Sequence, residues 1–274
     1  MPGEDLGPYR SVLAHPPSLS TFRRLSSLLG DAERAPDDPV VSYLSDHLRS
    51  WPDEVARPAR RAWLTRAVYE GLPVPQLTLC NALFHEAFEC GFGREDFEEL
   101  ARCHPGVRHI GLEAFTMGRD DVELIAGWSG EGLNSLRLGF SGLDDTALAV
   151  IARSPHMESL RVLDVRHDGL SDLGVLAGTP LLRGLKSLRA QRNRITGEGL
   201  TEFLSCEYVA SIERLDLRYN PLGERGAREL AGSPWLTSLE WLSAYADDVG
   251  ERGAAALAGS ETLPGHITAY WRAA

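Results

Sequence analysis

Five side chains of metal-ligand type fall close together in this chain, as Cys80, His85, Cys90, Cys103 and His104. Thiolate and imidazole donors at that density could hold a tetrahedral zinc ion, which staples a fold or activates a water. The spacing, C-x4-H-x4-C-x12-C-H, matches no common zinc pattern, and Leu79, Leu83, Phe84 and Phe88 crowd its first members. Buried thiols in a helical region explain that composition more simply, so no metal is expected. The chain also lacks G-x-x-x-x-G-K-S/T, G-x-G-x-x-G behind a strand, H-E-x-x-H and G-x-S-x-G. No catalytic residue and no cofactor is assigned on these patterns.

Arginine and aromatic residues carry the stronger signal. The 28 basic residues include one lysine, Lys186, so any cationic patch consists of planar, bidentate donors suited to carboxylate or phosphate. Arg137, Arg161, Arg166, Arg189, Arg192, Arg214 and Arg218 lead into Tyr219, Trp241, Tyr245 and Tyr270. These residues can act together only if a repeated element brings them onto one face.

Such an element is legible between Ile212 and Leu236, IERLDLRYNPLGERGARELAGSPWL. Ile212, Leu215, Leu217, Asn220 and Leu222 follow the spacing L-x-x-L-x-L-x-x-N-x-L. The helix-like GERGARELAG that follows returns 27 residues later as GERGAAALAG, Gly250 to Gly259. Aligned first positions fall at Val107, Leu133, Leu160, Leu185, Ile212 and Leu239, at intervals of 26, 27, 25, 27 and 27 residues. Chance does not hold a period that steady. With these residues the chain resembles the ribonuclease-inhibitor-like class of leucine-rich repeat proteins, of a bacterial, cytoplasmic type. The resemblance implies an α/β solenoid with parallel strands on the concave side, helices on the convex side, and a binding rather than a catalytic role.

The inward strand pairs are Ile110/Leu112, Leu136/Leu138, Leu163/Val165, Leu188/Ala190, Leu215/Leu217 and Leu242/Ala244, and a last strand, His266 to Trp271, is expected to close the array. The ninth positions read Phe115, Ser141, Asp168, Asn193, Asn220 and Asp247. An asparagine there is implied, by the resemblance, to turn inward and bond the backbone at the strand-to-loop bend. Asp and Ser fill part of that role and Phe115 cannot. Convex helices are expected over DDVELIAGW, DDTALAVIARS and GEGLTEFLSC, with Asp120, Asp121, Asp144, Asp145 and Glu198 at their positive ends. In the shortest interval, Ser171 to Gly178 should hold a clipped helix.

The preceding third of the chain has no convincing period. Leu19, Phe22, Leu25, Leu28 and Leu29 mark one helical face, Val40, Val41, Leu44 and Leu48 a second, and Trp63, Leu64, Ala67 and Val68 a third. The expected organisation is a helical cap over 1–73, an irregular or degenerate first repeat over 74–106, and about six repeats with a closing strand over 107–274.

Strand residues pointing away from the leucines line the concave face. Its middle is cationic although 105–274 holds 17 basic against 23 acidic residues, and its far end is aromatic. Arg, Tyr and Trp are the types enriched at interface hot spots. The expected partner-binding residues are Arg137, Arg161, Arg166, Arg189, Arg192, Arg214, Arg218, Tyr219, Trp241, Tyr245 and Tyr270, and the expected partner is a protein, an acidic one by charge. A blander account makes the same arginines ladder partners of Asp164, Glu213 and Asp216 across strands. Two further alternatives are an enzyme or metal protein with its chemistry in 1–104 and a nucleic-acid binder. A net charge of −11 and pI near 5.2 disfavour the second. No small-molecule substrate is expected. Without an apolar span of membrane length, a basic-then-apolar leader or a disulfide-like cysteine pattern, the expectation is a cytoplasmic protein with no membrane partner.

Overall fold

Leu136, Leu163, Leu188, Leu215 and Leu242 stand in register on neighbouring strands, and this row turns the sequence period into a sheet. The computed structural model describes residues 6–18, scattered helical positions between 20 and 47, the backbone of 76–80, and 108–273 apart from 114–116 and 129–131. The third expected helical face, Phe115 and the cysteine–histidine cluster beyond the backbone of Cys80 lie outside the described residues. The chain divides into two units, Met1–Gly111 with Trp128–Leu133, and Leu112–Gly127 with Asn134–Ala274.

In the first unit, α1 (Gly7–Leu13) buries Tyr9 and Val12, and the Tyr9 hydroxyl donates to the Leu28 carbonyl at 3.3 Å. No helix was expected over these residues, and the proline sits in the first turn, where its missing N–H costs nothing. Leu25, Val40 and Leu44 are buried as their helical spacing predicts, whereas Leu28 is 40% exposed. β1 (Gln76–Cys80) belongs to this unit, and β2 (His109–Glu113) begins in it.

The second unit repeats one strand and one convex element. α2 (Arg119–Ala126) precedes β3 (Ser135–Arg137), α3 (Asp145–Arg153), β4 (Val162–Asp164), α4 (Pro180–Gly184), β5 (Ser187–Arg189), α5 (Gly197–Ser205), β6 (Arg214–Asp216), α6 (Gly223–Gly232), β7 (Trp241–Ser243), α7 (Ala246–Ala258) and α8 (Gly265–Ala273). Strands β3 to β7 pair in parallel, each with its sequence neighbour. The second inward row, Leu138, Val165, Ala190, Leu217 and Ala244, is buried beside the first. Each leucine so enclosed contributes about 1.5–3 kcal/mol that no single repeat could gain alone.

Asparagines hold the bends. Asn193 Oδ1 accepts from the amides of Asp168 (3.1 Å) and Leu170 (3.2 Å), while its Nδ2 donates to the carbonyls of Val165 and Ala190, both 2.9 Å. Asn220 accepts from Ile195 and donates to Ala190 and Leu217 in the same manner. Asp168 Oδ1 accepts from Ser141 (2.7 Å) and Leu143 (3.3 Å). The ninth-position role does not extend to Asp247. α7 starts at Ala246, so Asp247 lies exposed in its first turn, and Asp248 Oδ2 instead accepts the amides of Tyr219 and Tyr245, both 2.9 Å.

The convex elements explain the repeated GERGA. Gly223 and Gly250 adopt φ of 63° and 72°, the left-handed region open to glycine. The second glycine of each motif lets neighbours close up, since a Cβ on Gly253 would meet Ala227 Cβ at 2.9 Å. The short interval is clipped as expected, to a 3₁₀ turn over Leu173–Leu176. Asp144 caps α3 through the Ala147 amide at 2.8 Å. Asp145 does more than favour the helix dipole, because it accepts from the amides of Ser171 and Asp172 and from the Ser171 hydroxyl, tying two repeats together. A row that sequence reading missed is Ser154, Ser233 and Ser260, whose hydroxyls donate to Ala126, Leu204 and Ala231 at the ends of preceding helices. Half-buried Cys206 holds the equivalent place and accepts from the Gly178 amide at 3.4 Å.

The expected closing strand is a helix. His266 to Trp271 lies in α8, where Ile267 and Trp271, four residues apart, are both buried and the amides of Ile267 and Thr268 donate to the Pro264 carbonyl. Helical i, i+4 burial overrides the strand propensity of Ile, Thr, Tyr and Trp.

Candidate functional site

Alternation along each short strand fixes what the open face of the sheet, opposite the leucines, can show. Its fifth-position row reads Arg137, Asp164, Arg189, Asp216 and Ser243 in register, so opposite charges face one another across strands. The acids are not at the surface. Asp164 is 0% and Asp216 3% exposed, so the carboxylates form a floor and the longer guanidiniums lie over it. Arg218 grips Asp216 through Nε–Oδ1 at 2.9 Å and Nη2–Oδ2 at 2.6 Å. Arg166 and Arg189 approach Asp164 at 3.6 and 3.7 Å. The Asp216 bonds are the main reason that Arg218 is held protonated even more firmly than an ordinary arginine.

Asp216, Arg166, Arg189 and Arg218 line a groove of about 590 Å³ together with Ser187, Gln191, Arg214, Glu240 and Trp241. Arg214 reaches Glu240 only at 4.0 Å, and Lys186 pairs with Glu213 at 2.8 Å on the same edge. Exposed pairs of this kind contribute at most about 1 kcal/mol and yield readily to a competing partner. Gln191 Oε1 is buried beneath the groove and has no hydrogen-bond partner among the described residues. It contains no nucleophile activated by a base, and no group of three or more His, Cys, Asp or Glu among the described residues could hold a metal.

The expected site residues therefore separate. Arg166, Arg189, Arg214, Arg218 and Trp241 meet in the groove. Arg161 does not join them, because its Nη1 donates to the carbonyls of Glu158, Leu160 and Gly184. Tyr270 lies on α8, 60% exposed and outside the row of strands. Arg137 is half-buried in the fifth-position row, beyond the groove lining.

Beside the groove runs a second line. Phe140 and His167 stack at 4.4 Å and 19°, Arg192 lies 4.7 Å from the Tyr219 ring centre, and Tyr219 meets Tyr245 edge-on at 4.9 Å. Arg218 lies about equally far from Trp241 (5.9 Å) and Tyr245 (6.0 Å), within cation–π range of both. A hydrogen bond with the Tyr219 hydroxyl, and then Arg218, lowers the Tyr245 phenol below its usual value. Phe140 and His167 were not among the expected site residues, since nothing in their letters shows that they stack.

Asp168 is the ionisable outlier. Burial is the main cause that pushes its carboxyl up to about 6, against the opposing bonds from the Ser141, Leu143 and Gly142 amides, and Asp164 adds to the rise. Its Oδ2 has no partner among the described residues, whereas Asn193 and Asn220 donate to two carbonyls from the corresponding atom. The folded state thus holds a proton that the unfolded chain releases near 3.8, so stability is full below that pH and falls as pH rises through about 6. Asp168→Asn is expected to raise unfolding free energy at pH 7.5 by about 1–2 kcal/mol, a figure reduced for partial contact with water. Urea unfolding at pH 7.5 and 5.0 checks it, and the gap between variant and parent should narrow at the lower pH.

A family described as "Leucine Rich repeat" matches residues 210–231. No curated protein matches the chain. A solved structure described as the Rad7 and Elc1 complex in yeast is similar over 91% of this chain and 79% of that one, at 14% identity and a TM-score of 0.40. Likeness that slight carries no argument about fold or partner. Among the described residues no helix is long and apolar enough to cross a membrane. The parallel in-register leucine rows, the asparagine-held bends and the matched repeat make the second unit an α/β leucine-rich repeat solenoid.

Proposed function

We propose that this chain is a non-catalytic scaffold that holds a partner protein against the open, Arg- and aromatic-lined face, within the ribonuclease-inhibitor-like class and in the cytoplasm. One observation carries the reading. Trp241, Tyr219 and Tyr245 are 45%, 50% and 39% exposed beside guanidiniums already held in place by floor carboxylates. Large aromatic surface kept in water at a groove is the mark of an interaction site, and pre-positioned arginines lose little freedom when a partner arrives. An adaptor and an inhibitor that covers another protein's active site would both use such a face.

An acidic partner suits the protruding guanidiniums. A nucleic acid suits them less, because Asp216 and Glu240 share the groove with four arginines, Asp164 lies beneath, and the whole chain carries −11. The test uses the purified full chain to recover partners from its native lysate, then measures affinity for the recovered protein. Trp241→Ala with Arg214→Glu is expected to weaken that affinity by about 30-fold or more, as hot-spot loss does, without lowering Tm. An unchanged set of partners bound at unchanged affinity overturns the reading.

A further inference from the structure

Four consecutive repeats place a non-glycine residue in the left-handed region at the eighth position: Phe140 (φ 64°), His167 (59°), Arg192 (58°) and Tyr219 (59°). The fold demands the conformation. Phe140, His167 and Arg192 donate their amides to the carbonyls of Arg166, Gln191 and Arg218, each at 2.9 Å, and Tyr219 donates to Asp248, before the chain bends away from the sheet. The fold does not demand those side chains. Glycine, or asparagine, occupies this region with least strain, and the chain puts glycine at its other described positive-φ positions, Gly132, Gly142, Gly178, Gly223 and Gly250. At the eighth position it instead bears strain four times over in order to present a planar or cationic side chain.

The four side chains and Tyr245 form a ridge of two groups, Phe140 stacked on His167 and Arg192 against Tyr219, which meets Tyr245 edge-on, with Phe140 46% and Tyr219 50% exposed. Among the described residues no carboxylate stands in it. The acids that follow, Asp168 and Asp248, are turned to backbone amides. We propose that this ridge is where an acidic segment of the partner docks, packing on the planar faces while His167, Arg192 and the adjoining Arg166 and Arg218 meet its carboxylates. The inference rests on the interaction reading above and moves the decisive contacts from the groove to the ridge beside it.

The experiment selects from a random 12-residue peptide library on the intact protein and synthesises the enriched peptide. Binding is then measured to the parent, to His167→Asn and Tyr219→Asn, and to Trp241→Ala, with oligothymidylate of equal length as the nucleic-acid arm. The expected result is an Asp- and Glu-rich peptide that binds both ridge variants at least about 10-fold more weakly, while Tm holds or rises by about 2–4 °C as strain is relieved. Weaker binding accompanied by a fall in Tm makes the ridge structural and overturns the inference. Binding weakened by Trp241→Ala alone overturns the ridge but leaves the interaction reading standing. A selected peptide that is not acidic, or one indifferent to all three variants, overturns the ridge and counts against that reading as well. Oligothymidylate bound more tightly than the peptide replaces both with a nucleic-acid surface.

Discussion

Asn193→Ala is expected to cost about 4 kcal/mol of unfolding free energy, since it removes both ends of a buried four-partner bridge. The side chain is 8% exposed and serves two amides, Asp168 and Leu170, and two carbonyls, Val165 and Ala190. Each buried backbone group left without a partner loses about 1–3 kcal/mol, and water entering the shortened site recovers part of the sum. The loss spreads because these partners lie on two repeats, and a repeat array is stable only through contacts between neighbours. Asn193→Asp is the informative control. It retains the acceptor that serves the amides and loses the donor, so it should fall between parent and alanine and become costlier as pH rises, as at Asp168. Urea unfolding of all three at pH 7.5 provides the measurement. A cost for Asn193→Ala below about 1 kcal/mol, the value of a single ordinary hydrogen bond, would mean that the bend holds without it.

How far the sequence reveals this molecule depends on what kind of information a position carries. Leucines at a fixed period specify which residues share a face, so the parallel rows through Leu163, Leu188 and Leu215 were legible before any coordinates. Asn193 and Asn220 were legible because a bend with buried amides needs a side chain that both donates and accepts. Period says nothing of depth. Asp164 and Asp216 alternate outward like their neighbours, yet they are buried, because long arginines lie over short carboxylates, Arg218 from the same repeat over Asp216, and Arg166 and Arg189 from the same and the next repeat over Asp164. The same arithmetic assigned Arg161 to the face, whereas three nearby carbonyls hold its guanidinium. At the C-terminal end the repeat stops and propensity was the only guide, so α8 was read as a strand and Tyr270 as part of the site. The left-handed φ shared by Phe140, His167, Arg192 and Tyr219 is a backbone property that their letters argue against. Which residues share a face is thus legible in the sequence, whereas their depth, side-chain contacts and backbone conformation are not.

Arg218 tests that division most directly. Arg218→Leu is expected to destabilise the protein by about 3–5 kcal/mol, because it leaves a buried carboxylate without its counter-charge. Asp216 is 3% exposed, and among the described residues its Oδ1 receives, besides the guanidinium bond, only the distant Arg218 amide, at 3.3 Å. Asp216→Asn in the same chain removes the charge and should return most of the loss, leaving Arg218→Leu/Asp216→Asn within about 1 kcal/mol of the parent, as neutral replacement of a buried pair commonly does. Chemical denaturation of the two single variants and the double gives the coupling directly. If the double variant is no more stable than Arg218→Leu alone, the pair does not hold the floor. The rescued variant then answers what Arg218 does beyond structure. Its guanidinium lies 5.9 Å from the Trp241 ring and 6.0 Å from that of Tyr245, between the groove and the aromatic end. A partner that reads this cation should bind the stable double variant about 10-fold more weakly, the value of one charge-assisted contact. A partner bound equally well would make Arg218 a fastening for Asp216, and would leave recognition to Arg192, Arg214 and the exposed rings.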